Sequence, residues 1–249
     1  MSVLHAALNG TRSRTDHSAI PITPDELATE AAASVAAGAG VVHVHVRDRH
    51  GNASLDADDV ARALDAIRSA SPGIPIGIST GAWIVPDLAR RLSVIGTWTD
   101  LPDFASVNLH EAGATLVMQL LLDSGVGVEA GVWNAPAAAT LVESGLADDC
   151  ARILLEPAEA SCRARVNLLQ IESVLAGMSP RRLLHGLGPC AWHLVELAAS
   201  RDYDTRIGFE DTLRLPDGTV AESNADLVGA ACRLMATAGR MIARSNVDP

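Results

Sequence analysis

The chain has 249 residues, 48% hydrophobic and 20% charged, with a formal net charge of -11. All 19 basic residues are arginine, because the sequence contains no lysine. That excludes Schiff-base aldolases and pyridoxal-phosphate enzymes, which need a lysine amine, and a G-x-x-x-x-G-K-[ST] phosphate loop; an acidic chain without a basic patch also argues against nucleic acid as main partner.

In chain order, short β-rich runs alternate with longer helical ones. Val3–Leu8 reads as a strand, followed by a helix over Pro24–Ala37. Thr23 stands as its N-cap, Pro24 at its first position and Glu26 three residues after the cap, and Gly38 and Gly40 close it. Strands are then predicted at Val41–Arg47, Ile74–Thr80, Phe104–Leu109, Val126–Trp133, Ile153–Glu156, Arg182–Gly186 and Thr205–Glu210. Helices fall between and after them at Asp56–Ala70, Val85–Ile95, Ala114–Ser124, Ala135–Ser144, Glu159–Ala176, Cys190–Ser200 and Asn224–Gly239. Eight β-α units in one uninterrupted domain, residues 1–249, match an α/β chain of the (β/α)8 TIM-barrel class. A doubly wound sheet is the competitor, but no G-x-G-x-x-G follows the first strand. Four cysteines at 150, 162, 190 and 232 lack C-x-x-C spacing and fit a reducing cytoplasm. The N-terminus lacks the pattern of a signal peptide, and no apolar run is long enough to span a bilayer, so a soluble, cytoplasmic protein is expected.

Chemistry concentrates at predicted strand ends. In Val41-Val42-His43-Val44-His45-Val46-Arg47-Asp48, residues i and i+2 share a face, so His43 and His45 project together, opposite the valines. Paired imidazoles inside a barrel are suited to bind one metal. By the same alternation Arg206, Gly208 and Glu210 share a face, and Glu210 can supply a third ligand because an eighth strand lies two strands from the second in a closed barrel. Two histidines and a carboxylate leave open positions for substrate, as catalytic sites do; alternatively, Glu210 and Asp211 solvate the rim. Ser79, Ser106, Asn108 and Glu129 are further polar residues on strands three to five. Gly186 and Gly188, in His185-Gly186-Leu187-Gly188, follow the seventh strand, where barrels often hold phosphate. Arg12 and Arg14, in the loop after the first strand, form a candidate clamp for a carboxylate or phosphate.

The blocks N-G-T-R-S-R-T-D-H-S-A-I-P-I-T-P-D-E-L, V-V-H-V-H-V-R-D, I-S-T-G and R-I-G-F-E-D-T, with L-P-D-G after it, together resemble the β-keto acid cleavage enzymes, whose founding activity is 3-keto-5-aminohexanoate cleavage. The resemblance implies a zinc-bound barrel, a homotetramer, and condensation of a β-keto acid with acetyl-CoA to give acetoacetate and the CoA ester of the shortened acid. It implies His43, His45 and Glu210 as zinc ligands, Arg206 and Asp211 as a catalytic pair, Ser79 in contact with the reacting groups, and Asn108 at a polar fourth-strand position. Arg12 stands where aminohexanoate-cleaving members carry a glutamate for the substrate's ammonium, so an anionic or neutral substrate is expected. Arg206 and Asp211 are five residues apart, and strict alternation puts them on opposite faces; they meet only if the strand ends or bulges before Asp211. A mononuclear metal-dependent hydrolase is the alternative enzyme reading, and a non-enzymatic metal-binding barrel a third.

Overall fold

The computed structural model describes residues 2–157 and 162–237. Eight strands pair in parallel, each with its sequence neighbour, and the eighth closes on the first. They are β1 (Leu4–Ala7), β2 (Val41–Val44), β3 (Ile76–Ser79), β4 (Phe104–Asn108), β5 (Gly127–Val132), β6 (Arg152–Leu155), β7 (Arg182–Leu184) and β8 (Asp204–Ile207). Eight helices surround them: α1 (Pro24–Ala37), α2 (Ala57–Ala70), α3 (Leu88–Ile95), α4 (Ala114–Asp123), α5 (Ala135–Ser144), α6 (Cys162–Val174), α7 (Ala191–Arg201) and α8 (Asn224–Thr237). This is the (β/α)8 barrel that the alternation of runs predicts. The expected starts of the sixth helix at 159–161 and the expected end of the last helix at 238–239 lie outside the described residues.

Local chemistry sets several boundaries. The Thr23 side chain accepts from the Glu26 backbone N–H, and the Glu26 carboxylate returns the bond to the Thr23 N–H, so α1 starts with a full capping box. The third helix starts at Leu88 rather than Val85, because Asp87 holds an extended conformation and caps the Arg90 N–H. The eighth strand ends at Ile207 rather than Glu210. The amides of Asp211 and Thr212 both turn back to the Gly208 carbonyl, at 2.9 and 3.0 Å. Gly208 itself lies against β1: a Cβ there would sit 2.0 Å from the Ala7 carbonyl oxygen.

The two faces of the strands have opposite characters. Val42, Val44 and Val46 of the second strand, with Leu4, Ile76, Val107, Val128, Ile153 and Ile207, join the apolar layer under the helices. The inner face carries His5, His43, Ser106, Glu129, Arg152 and Arg206, all but Ser106 and Arg152 buried. Val3, Val41 and Phe104 form a separate apolar cluster beneath this charged interior. Phe104 fits across the barrel because Gly77 has no side chain to oppose it, and the Arg152 guanidinium lies 4.5 Å above its ring. Among the described residues, no helix is long and apolar enough to cross a membrane.

Candidate metal centre and active site

The second strand delivers both histidines to the mouth of the barrel. His43 pairs with Ala7 on one side and Gly77 on the other. His45 lies just past the ladder, where the Asn9 side chain substitutes for a neighbouring strand: its Oδ1 accepts from the His45 N–H at 2.8 Å and its Nδ2 donates to the His45 carbonyl at 2.9 Å. The two rings stand 5.4 Å apart between centroids. Their Nε2 atoms face the Glu210 carboxylate, at 3.7 Å for His43 and 3.4 Å for His45.

Glu210 reaches them from the turn after β8. Gly10 leaves the space it needs: this residue has φ +55°, and a Cβ on it would lie 2.4 Å from Glu210 Cγ. One atom from each of His43, His45 and Glu210 falls within a 4.8 Å cluster. Among the described residues, Glu210 Oε2, His43 Nδ1 and His45 Nδ1 are buried without hydrogen-bond partners. Burial pushes the His43 imidazole down to about 4, with Glu210 opposing and Arg206 reinforcing the shift, so the ring is neutral near pH 7. Burial works against ionisation of Glu210, but Arg206, His45 and His43 outweigh it and hold the carboxyl well below the usual range. Neutral imidazoles and an ionised carboxylate are the states in which such groups bind a divalent cation.

Arg206 links this donor set to Asp211. Its Nη2 donates to Glu210 Oε1 at 2.7 Å and to Asp211 Oδ1 at 3.0 Å, and its Nε lies 3.3 Å from the same Oδ1. The early end of β8 thus resolves the five-residue spacing: the chain turns at Gly208 and brings Asp211 back toward Arg206. Asp211 is fully buried, and its Oδ2 has no hydrogen-bond partner among the described residues.

The other expected residues divide by position. Ser79 ends β3 at the inner face, beside Ser106 of β4. Asn108 Nδ2 donates to Glu111 Oε1 at 3.1 Å, while Glu111 Oε2 accepts from the Ala82 N–H at 2.8 Å, which ties together the loops after β3 and β4. Glu129 is buried in the β5 interior, accepting from Ser106 Oγ at 2.7 Å and facing Arg152 Nη1 at 3.2 Å. Arg12 lines a cavity of about 440 Å³ with Gly188, Trp192, Thr212 and Leu213. Gly188, at φ +55°, donates its N–H to the Asp211 carbonyl at 2.7 Å. Gly186 packs against α7, where a Cβ would stand 2.6 Å from Leu194 Cδ1. Arg14 is exposed and pairs with Glu26 at the start of α1, apart from the metal donors.

Two neighbours of the site carry no sequence signal for their place in it. His185 is fully buried, with Nδ1 3.1 Å from Asp211 Oδ1 and Nε2 3.1 Å from Glu156 Oε2. Burial and Arg206 disfavour its charged form, but Glu156 and Asp211 prevail and push it up to about 9. Trp83, in the loop after β3, stacks on His45 with ring centroids 6.0 Å apart and an interplanar angle of 22°, yet 45% of it is exposed. Inward parity places His185 with Leu183, but a polar residue at a strand end is too common to mark a partner for Asp211. An aromatic residue in a loop gives no local sign of what it covers.

A closed parallel barrel that gathers two histidines, a glutamate and a buried arginine–aspartate pair at the C-terminal ends of its strands is a (β/α)8 enzyme with a site able to hold a metal ion. The family model for beta-keto acid cleavage enzymes matches residues 2–247, and the chain belongs to that family. It is 26% identical to a 3-keto-5-aminohexanoate cleavage enzyme of Fusobacterium nucleatum, over 97% of this chain and 93% of the relative. Over 32% of this chain and 28% of the relative, it is 39% identical to a 3-oxoadipate:acetyl-CoA acetyltransferase of Cupriavidus necator. Among solved structures, ObcA in binary complex with oxaloacetate superposes with a TM-score of 0.71 at 18% identity, covering 90% of this chain. The chain spans 65% of the length of that ObcA chain, and the likeness speaks to the fold.

Proposed function

We propose that the protein is a zinc-dependent acyltransferase that condenses an anionic or neutral β-keto acid with acetyl-CoA, yielding acetoacetate and the acyl-CoA of the shortened acid. The observation that carries this reading is the convergence of His43, His45 and Glu210 within 4.8 Å, joined through Arg206 to a buried Asp211 with one carboxylate oxygen unpartnered among the described residues. The family match and the acetyl-CoA-dependent relative support the same chemistry. His43, His45 and Glu210 would hold the ion, which when bound supplies Lewis-acid stabilisation to a substrate enolate.

The remaining roles belong to the chain itself. Asp211 Oδ2 takes the C2 proton of the β-keto acid. Arg206 helps hold Glu210 ionised and fixes Asp211 and Glu210 relative to each other. The resulting carbanion attacks the thioester carbonyl carbon, and the Ser79 hydroxyl donates a hydrogen bond to the developing oxyanion. The CoA thiolate leaves, then attacks the original keto carbon. The carbon–carbon bond at that centre breaks, and the departing acetoacetate carbanion recovers the proton held by Asp211. Arg12, with Asn108, Glu129 and the Gly186–Gly188 loop, lines the substrate side; in the cavity it shares with Trp192 and Leu213, Arg12 favours an acyl chain ending in an anion.

A panel of purified protein, zinc and acetyl-CoA with 3-oxoadipate, 3-oxohexanoate or 3-keto-5-aminohexanoate tests the reading. The account expects acetoacetate and acyl-CoA in equal amounts, fastest with 3-oxoadipate. Preference for the amine would overturn the role of Arg12, and hydrolysis without CoA consumption would replace the acyltransferase with a metal-dependent hydrolase.

A further inference from the structure

Asp211 lies beyond the end of β8, so no ladder bond orients it. Its backbone is held by the turn to Gly208 and by the Gly188 N–H. Its carboxylate is asymmetric: Oδ1 meets Arg206 Nη2 at 3.0 Å, Arg206 Nε at 3.3 Å and His185 Nδ1 at 3.1 Å, whereas Oδ2 meets no donor among the described residues. Arg206 alone is a poor clamp for this orientation. Its Nη2 is shared with Glu210, so it can follow movement of the metal ligand. His185 approaches from β7, and on its far side Nε2 stands at ion-pair distance, 3.1 Å, from Glu156 Oε2 without hydrogen-bond geometry. Both of these side chains are buried at the ends of their strands. The imidazole therefore stands between Glu156, at the end of β6, and Asp211, in the turn after β8.

We propose that His185, braced by Glu156, is a positioning residue that locks the Asp211 carboxylate with Oδ1 saturated and Oδ2 free to meet the substrate. This rests on the reading of Asp211 as the base. Its consequence is specific: the Nδ1 contact matters for proton abstraction, and the Nε2 contact matters only through the placement of the ring.

Asparagine and glutamine separate the two contacts, since the amide nitrogen of asparagine falls near the place of Nδ1 and that of glutamine near Nε2. The zinc-loaded full chain is given 3-oxoadipate in deuterated water without acetyl-CoA, and C2 hydrogen exchange is followed by NMR with the uncatalysed rate subtracted. Steady-state kcat and KM and bound zinc are measured beside it. His185→Leu should slow exchange and kcat by about 100-fold, with KM and zinc content held within about twofold. His185→Asn should recover most of both rates, and His185→Gln should not. Native exchange in His185→Leu, or recovery by glutamine equal to that by asparagine, overturns the proposal. If the leucine variant does not fold, the asparagine–glutamine comparison decides alone. Asp211→Asn reports on the underlying reading: native exchange in that variant removes Asp211 as base whatever His185 does.

Discussion

A glycine decides whether the glutamate can reach the histidines. Gly10 has a positive φ that an L side chain rarely adopts, and it faces Glu210 Cγ at a distance that excludes even a methyl group. Gly10→Ala removes no donor atom, yet it must displace the carboxylate or the first loop. Zinc affinity, read by competition with a chelator, should fall by about 10- to 100-fold, the usual effect of disturbing the support of a metal ligand. Unchanged affinity would mean that Glu210 does not bind the ion. At this scale the donors were legible in the sequence, because the i, i+2 spacing of His43 and His45 places them on one face without any tertiary information. Glu156 and His185 were not, because each is an isolated polar residue whose meaning depends on the strand beside it.

At the scale of elements, the alternation of runs revealed the eight strands and eight α-helices of the described residues, since each strand carries an apolar outer face and α1, α3 and α5 open on side-chain caps. The end of β8 was read three residues too long. Arg206, Gly208 and Glu210 continue the period-two pattern, but the chain has already turned at Gly208. That turn makes the site: it brings Asp211 to Arg206 while letting Glu210 face the histidines. Gly208 permits it by lying against the Ala7 carbonyl. Gly208→Ala should therefore strain the closure of β8 on β1, costing about 1–3 kcal/mol of stability and lowering Tm by roughly 2–4 °C for each kcal/mol. Activity should fall further than stability explains. A calorimetric scan with an unshifted Tm, together with native turnover, would show that the turn tolerates a side chain.

The whole molecule is a device for bringing distant residues to one mouth. His43 and Glu210 meet only because the eighth strand closes on the first, and no separation in sequence reveals that closure until the strands are counted. Inside, a charged layer of Glu129, Arg152 and Arg206 replaces the branched apolar layers common in such barrels. The lysine-free composition acquires its meaning here. With no amine available for carbonyl chemistry, under the proposed function that role would fall to a metal that His43, His45 and Glu210 would hold, and the buried cation beside them is an arginine that stays charged. The central claim is that acyl transfer depends on this metal. The most direct test is turnover of 3-oxoadipate with acetyl-CoA by metal-stripped protein, by the same protein reconstituted with zinc, and by His45→Ala treated identically. The account predicts no acetoacetate from stripped protein, restoration on adding zinc, and none from His45→Ala in either state. Full turnover by the stripped protein, or by His45→Ala without bound metal, would contradict it.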